Sequence, residues 1–372
     1  MKFKVQKSAF LGALHHTQSV VEKRNTMPIL ANILLEVKKN TLYLSATDLE
    51  IGIQVRCRIE GVEEGSITLG AKYLYDVVRE LPQEEIILTK KENNWISLEC
   101  GKAIFNIVGL PSEDFPALPA LKNNNFHVVA SEKIKDMIEK TIFSVSTDET
   151  RYQLNGVCFE KVDSSHIRMV ATDGHRLSMI DKDLSLSEES GLSKNIIIPR
   201  KGLTELRKVL ESAQSGTGTF ELGFDGNNII VHQDEITLYI RLIEGEYPDY
   251  KQVIPKKSDK KILVNREHLM QALKRISLLS EERAKGVKFS FSNNQLVISS
   301  NNPKLGEARE EIEIGYKGEE FDIGFNARYF LDVLNVLKEG EVTLELNDDA
   351  SPGILKPRED SSYKCIVMPM KL

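Results

Sequence analysis

The chain has 372 residues, of which 41% are hydrophobic and 28% charged, with a net charge of −6. That length is more than one ordinary core needs and suits two or three domains. No run of about 18 apolar residues occurs, so no membrane-spanning helix is expected, and the opening MKFKVQK lacks the apolar stretch of a signal peptide.

The first predicted elements are an apolar strand from Phe3 and a helix over 7–24, with Phe10, Leu11 and Leu14 on its apolar face. Strands that alternate in hydropathy follow from Thr41, with the polar turn ATDLE between them. A strand from Ile67 then runs into a helix over 71–80, where Leu74, Val77, Val78 and Leu81 form an i, i+3, i+4, i+7 stripe. Trp95 sits in a strand between polar turns and is expected in the core. The block closes around proline in LPSEDFPAL, and LKNNNF (121–126) reads as a linker.

The same four blocks then return twice in the same order. A strand and helix begin at Phe126 and at Ile262, with helices expected over 131–144 and 265–279 and with Ser131 and Asn265 as N-caps. Strand pairs with a polar turn begin at His166 and Gln295. The second helices are expected over 200–211, carrying Leu203, Leu206 and Leu210, and over 327–338, carrying Phe330, Leu334 and Leu337. The closing segments are LIEGEYPDYKQVIP and YKCIVMPMKL, with PKKSDKK (255–261) as the second linker. The reading is an α+β chain of three similar modules, 1–124, 125–256 and 257–372, each with two helices packed on antiparallel sheet.

Size and charge give the repeat a purpose. A module of about 124 residues behaves as a sphere roughly 35 Å across. Three closed in a ring leave almost no gap, whereas six leave an opening on the order of 35 Å, wider than a DNA duplex of about 20 Å. Two chains supply six modules, and a head-to-tail two-fold pair closes with no free end. The six predicted helices hold 17 Lys and Arg against 10 Asp and Glu, a balance of +7 that leaves −13 for the rest of the chain. Helices favour Glu as much as Lys or Arg, so the skew points to a shared face turned toward a polyanion.

Catalytic and metal chemistry find little support. Asp173 and His175 in TDGHR resemble a catalytic loop, but the equivalent turns are Thr47-Asp48-Leu49 and Asn301-Asn302-Pro303. A turn that keeps Asp or Asn while losing His is first a backbone-capping turn. His15 and His16 are adjacent on a helix, too far apart in direction to share a metal as an i, i+4 pair does. The four cysteines, Cys57, Cys100, Cys158 and Cys365, are widely spaced without a Cys-x-x-Cys pair, so neither zinc nor disulfides are expected, no cofactor is implied, and a reducing cytoplasm fits.

Eight segments carry a family resemblance: NTMPILANILLEV (25–37), ATDLE (46–50), RYQLNGVCFE (151–160), VATDGHRL (170–177), IIPRKG (197–202), YPDY (247–250), GFNARYFLDVL (324–334) and the terminal VMPMKL. Over its full length the chain resembles the bacterial DNA polymerase III β subunit, the sliding clamp. The resemblance implies a ring-shaped homodimer on duplex DNA that tethers the replicative polymerase, binds its clamp loader and other proteins, and catalyses nothing itself. It places DNA contacts, made to phosphate rather than to bases, at Arg24, Arg151, Tyr152, Gln153, Arg200 and Lys201. It implies a pocket for partner peptides, formed by Leu154, Thr172, Gly174, His175, Arg176 and Leu177 of the second module, by Pro248 and Val253 at the boundary, and by Asn326, Tyr329, Val367, Met368, Pro369 and Met370 of the third. Flexible methionines suit a site that accepts several partners. The contact between chains would bring Phe105 and Ile107 against Leu278 and Leu279 of the partner.

The chain departs from the family pattern at Gln153, Gln252, Ala284 and Cys365, which bears on affinity and pocket shape. Two other readings stay open at this level. One is a nucleic-acid hydrolase using Asp48 and Asp173 with a divalent cation, although such chemistry needs carboxylates that converge on one site. The other is a repeat scaffold that binds only proteins.

Overall fold

The computed structural model describes residues 1–21, 27–82, 84–119, 126–184, 186, 192, 195–213, 216, 218–281 and 285–371. The first third forms β1 (Lys2–Gln6), α1 (Lys7–Val20), β2 (Asn32–Lys38), β3 (Thr41–Thr47), β4 (Ile51–Arg58), β5 (Glu60–Glu63), β6 (Gly65–Gly70), α2 (Ala71–Glu80), β7 (Glu85–Lys90), β8 (Trp95–Cys100) and β9 (Ala103–Leu110). The second forms β10 (Phe126–Ala130), α3 (Ser131–Glu139), β11 (Gly156–Lys161), β12 (His166–Thr172), β13 (Arg176–Asp183), β14 (Ile196–Pro199), α4 (Arg200–Glu211), β15 (Thr219–Asp225), β16 (Asn228–Gln233) and β17 (Ile236–Arg241). The third forms β18 (Lys260–Asn265), α5 (Arg266–Ile276), β19 (Gly286–Ser292), β20 (Gln295–Asn302), β21 (Gly306–Gly315), β22 (Phe321–Asn326), α6 (Ala327–Val336), β23 (Glu341–Leu346), β24 (Gly353–Pro357) and β25 (Tyr363–Val367).

Two compact units result. One comprises Met1–Glu132, Leu186–Ser193 and Lys201–Leu242; the other comprises Lys133–Ser185, Lys194–Arg200 and Ile243–Leu372. The first unit holds a 13-stranded sheet in the order β10-β15-β16-β17-β4-β3-β2-β6-β9-β8-β7-β1-β5. The second holds a 12-stranded sheet in the order β14-β11-β12-β13-β25-β24-β23-β18-β21-β20-β19-β22. The middle third is therefore shared between two sheets. Its β17 pairs with β4 of the first third, and its β13 pairs with β25 of the last, both antiparallel.

The helices pack as their apolar stripes require. α4 buries Leu203, Leu206, Val209 and Leu210, and α6 buries Phe330, Val333 and Leu334, each such side chain contributing about 1.5–3 kcal/mol. Phe330 meets Phe289 and Phe325 at ring-centroid distances of 5.2 and 4.9 Å, an aromatic core particular to the last third.

Several expectations need correction. α3 stops at Glu139 and a 3-10 turn takes over at Ile142–Ser144, while α5 ends at Ile276 before a second such turn, Ser277–Leu279. α1 ends at Val20. Asn265 does cap α5, accepting from the His268 N–H at 3.0 Å. Ser131 instead opens α3 as its first residue, and its buried Oγ has no hydrogen-bond partner among the described residues. Trp95 is 43% exposed rather than buried, because it lies on the face of β8 opposite the buried Ile96 and Leu98. All four cysteines are buried in strands and unpaired; burial pushes the Cys158 and Cys365 thiols up to about 12.

Candidate functional site

The polar turn between β12 and β13 is built by its own side chains. Thr172 Oγ1 donates to the Arg176 carbonyl at 2.6 Å and accepts from the Gly174 N–H at 3.1 Å. Asp173 Oδ1 accepts from the backbone N–H groups of His175 and Arg176 at 2.9 and 3.0 Å. Gly174 takes a φ of +90°, a conformation a side chain would strain. The carboxylate of Asp173 is thus a backbone cap, as its repeat pattern predicts, and its Oδ2 faces the Arg176 Nε at 3.1 Å.

Arg176 is the centre of this site and is itself only 7% exposed. Its Nη1 donates to Asp332 on α6 at 2.6 Å, and its Nη2 donates to the Phe143 carbonyl. The guanidinium carbon lies 4.6 Å from the Tyr329 ring centroid and 5.3 Å from that of Phe143. A guanidinium with two carboxylates, a carbonyl and two aromatic faces is saturated within the chain. It fixes Tyr329 and the 173–175 turn relative to each other. Burial, and next the charge of Asp173, hold the Tyr329 hydroxyl above its usual pKa, so it stays neutral.

The terminal segment crosses the same site. β25 runs antiparallel to β13 with Val367 opposite Arg176 and Ile366 opposite Leu177. Beyond it, the Met368 N–H donates to the His175 carbonyl at 2.9 Å and the Met370 N–H to the Gly324 carbonyl at 2.8 Å. These bonds stretch the tail from the turn to β22, where the side chain of Asn326 caps α6 by accepting from the Arg328 N–H at 2.9 Å. A cavity of about 650 Å³ opens beside the tail, lined by Pro369 and Met370 together with Gly324, Ala350 and the Lys288–Asp322 ion pair. Under the turn, Leu177 packs in a cluster with Cys158, Val170, Tyr250 and Ile366, and Tyr247 joins its edge. The Tyr247 hydroxyl, kept neutral by burial, accepts from the Thr172 N–H at 3.0 Å.

Eleven of the expected pocket positions are thereby linked through this one region. Pro248 and Val253, the latter 44% exposed, flank Tyr250 in sequence and lie at the surface. Met368 is 37% exposed, and Gly174 and His175 are exposed, so they present a mixed apolar and polar surface. Leu154 is buried at the end of a 3-10 turn, Glu149–Leu154, its carbonyl accepting from the Ser146 N–H at 3.0 Å. Asp332, Phe143 and Tyr247 were missed as site residues; only the three-residue spacing of Asp332 from Tyr329 on α6 pointed to it.

The expected DNA contacts fall in three places. Arg24 lies outside the described residues, as does Ala284. Arg151 and Tyr152 are exposed on the same 3-10 turn, with Arg151 3.8 Å from Asp148 and Gln153 half-buried near Gly245. Arg200 is exposed at the start of α4, and Lys201 forms an ion pair with the buried carboxylate of Asp48. At the expected contact between chains, Phe105 is 39% and Leu278 76% exposed, with Ile107 and Leu279 half-buried. Among the described residues no three His, Cys, Asp or Glu side chains are grouped to hold a metal, and no helix is long and apolar enough to cross a membrane.

Comparison with known proteins matches this architecture along its whole length. Family models of the DNA polymerase III beta subunit match in chain order: the N-terminal domain over residues 1–119, the central domain over 128–249 and the C-terminal domain over 251–371. The chain belongs to the DNA polymerase III beta subunit family. It is 36% identical to the beta sliding clamp of Escherichia coli K12 and 35% identical to that of Pseudomonas putida, each alignment covering all of both chains. Among solved structures, a Pseudomonas aeruginosa DNA polymerase sliding clamp with ligand matches with a TM-score of 0.93 at 34% identity. A Bartonella birtlesii sliding clamp bound to griselimycin matches at 0.94 and 33%, again over all of both chains. The fold is the three-domain DNA clamp fold, and the function is that of a DNA sliding clamp in replication.

Proposed function

We propose that the chain acts as a homodimer of six modules, 1–124, 125–256 and 257–372 in each copy, closed head to tail around duplex DNA. The ring holds the replicative polymerase on its template without reading sequence. Arg24, Arg151, Tyr152, Gln153, Arg200 and Lys201 line the path of the DNA and contact phosphate, and an attraction nearly uniform along the duplex lets the ring slide. Polymerase, clamp loader and other replication proteins insert an apolar peptide between the 173–175 turn, Tyr329 and the Met368–Met370 tail. The protein works in the cytoplasm and carries no catalytic step of its own. Asp48 and Asp173, the carboxylates a hydrolase would need, each cap their own turn and are each matched by a cation.

The observation that carries this reading is a pair of unfilled sheet edges. β9 over residues 103–108 and β21 over 306–313 each pair on one side only among the described strands, and edges left open in this way are templates for another chain. The test is topological. The protein is loaded by a clamp loader with ATP onto nicked circular DNA, and the circle is then linearised at high salt. A ring stays on the circle and leaves the linear form by its ends. Equal salt-sensitive retention on both forms would contradict encirclement.

A further inference from the structure

We propose, resting on the peptide groove above, that Tyr247 is a positioning residue for bound partners: its hydroxyl ties the segment carrying Pro248 and Val253 to the strand end that carries the 173–175 turn. β11 pairs with β12 from Lys161, opposite Ile167, to Cys158, opposite Val170. Extending that register would set Gly156 against Thr172, but the ladder ends first, and Gly156 runs on beside β14, opposite Pro199. The Val162 N–H donates to the His166 carbonyl at 2.9 Å, so alternate residues of β12 from His166 to Thr172 turn their N–H groups to that side. The Thr172 N–H therefore faces a place that none of the described strands fills. The Tyr247 hydroxyl fills it, accepting the bond at 3.0 Å. A buried backbone donor without a partner is costly, so the bond holds the strand end and the tyrosine together.

The other end of the segment is pinned to the same sheet. Glu160, Arg168 and Asp181 stand directly opposite one another on β11, β12 and β13. Arg168 forks onto Asp181 at 2.6 and 2.7 Å, and the Tyr250 hydroxyl accepts from Arg168 at 3.3 Å while donating to the buried Glu160. Arg168 is four residues from Thr172, about 13 Å along β12. Both tyrosines pack with Cys158, Val170 and Leu177, so Pro248 is held between two fixed points. Asp249 then caps the turn that ends at Val253, accepting from the Lys251 N–H at 3.2 Å and from the Gln252 amide at 2.9 Å. Gln252, a departure from the family pattern, is engaged in this cap.

Folding alone does not require the Tyr247 hydroxyl. The first module closes with Phe115-Pro116 where the second has Tyr247-Pro248, and Phe115 is simply buried with Ile29 and Leu30. The hydroxyl belongs to the module whose turn carries His175 and Arg176. Where the turn is a plain cap, a bare ring suffices; where the turn walls a groove, the closing segment is tied to it.

Tyr247→Phe tests this in the full chain, because it removes one oxygen and leaves the ring. Hydrogen exchange at the Thr172 amide reads the bond, and fluorescence anisotropy reads affinity for an apolar polymerase-derived peptide. Thr172 should exchange at least about tenfold faster in the variant with Val170 unchanged. The peptide should bind about three- to tenfold more weakly, the range of one hydrogen bond. Tyr316→Phe is the control: it removes a hydroxyl that donates to the Glu319 carbonyl at 2.9 Å in the last module. Its peptide affinity should stay within about twofold of the unmodified protein's. Unchanged affinity in Tyr247→Phe, unchanged exchange at Thr172, or equal weakening in Tyr316→Phe overturns the positioning role while the groove stands. A peptide that the unmodified protein does not bind overturns the groove and the role together.

Discussion

The two junctions inside the chain share a backbone plan and differ in what fills them. At each, a Thr-Asp turn is capped in the same way: Thr47 and Asp48 make the bonds that Thr172 and Asp173 make. At each, five residue pairs join the strands. At the first junction the helix rests on the strand. A Cβ on Gly202 of α4 would come within 2.4 Å of Ile240, and one on Gly52 within 2.6 Å of Leu118. At the second junction the position of Gly202 is Tyr329, and that of Ile51 is Arg176. There the Tyr329 ring stacks on the Arg176 guanidinium, which Asp173 and Asp332 hold, so the second junction presents a rigid aromatic wall. On the proposed function, these two differences of size and charge are what make the second junction, and not the first, the docking site.

The largest effect should come from removing the cation. Arg176→Met leaves Asp173 and Asp332 without their partner in a mostly buried setting and should cost about 3–5 kcal/mol. The equivalent Ile51→Met should cost less than about 1.5 kcal/mol. Urea unfolding of both variants checks this, and equal losses would erase the distinction between the junctions. Next, Gly202→Ala should overpack the first junction against Ile240 by about 1–3 kcal/mol, read in the same assay; a neutral result would mean that α4 does not press on β17.

Smaller effects concern binding. Tyr329→Gly should weaken a polymerase-derived peptide about tenfold, roughly 1.4 kcal/mol, beyond the ~1 kcal/mol that glycine costs the helix in stability. Fluorescence anisotropy separates the two, since a wall lost from the groove lowers affinity even where the fold persists. Truncation after Val367 removes the Met368 and Met370 bonds to His175 and Gly324 and should weaken the same peptide comparably, with the particle mass unchanged. The smallest effect is a null one. Thiol reagents at pH 8 should leave Cys158 and Cys365 unmodified in the folded chain, because burial holds their thiols near 12.

Much of this was legible in the sequence because it is local. Helical stripes such as Leu203, Leu206 and Leu210, the turn chemistry of Asp48 and Asp173, and the order of the four repeated blocks all act within a few residues of chain. What escaped depends on partners far apart. The sequence places Arg176 in the pocket but gives no sign that Asp332, 156 residues away, holds its guanidinium. The sharing of the middle third between two sheets is set by β4 with β17 and β13 with β25, pairings that leave no periodicity behind. Trp95 was misplaced because alternation marks two faces of a strand without saying which is covered. Ser131 was misread because its position before a hydrophobic run fits N-cap and first-turn geometry alike.

The central claim is that the chain carries two finished junctions and two halves of a third, completed only by another copy. The direct test is the mass of the untagged protein at micromolar concentration by light scattering. The account predicts about 84 kDa, twice the 42.0 kDa of one chain, falling to a single chain when Leu278→Lys and Leu279→Lys place charge in the contact. A 42.0 kDa particle for the unmodified protein would contradict it.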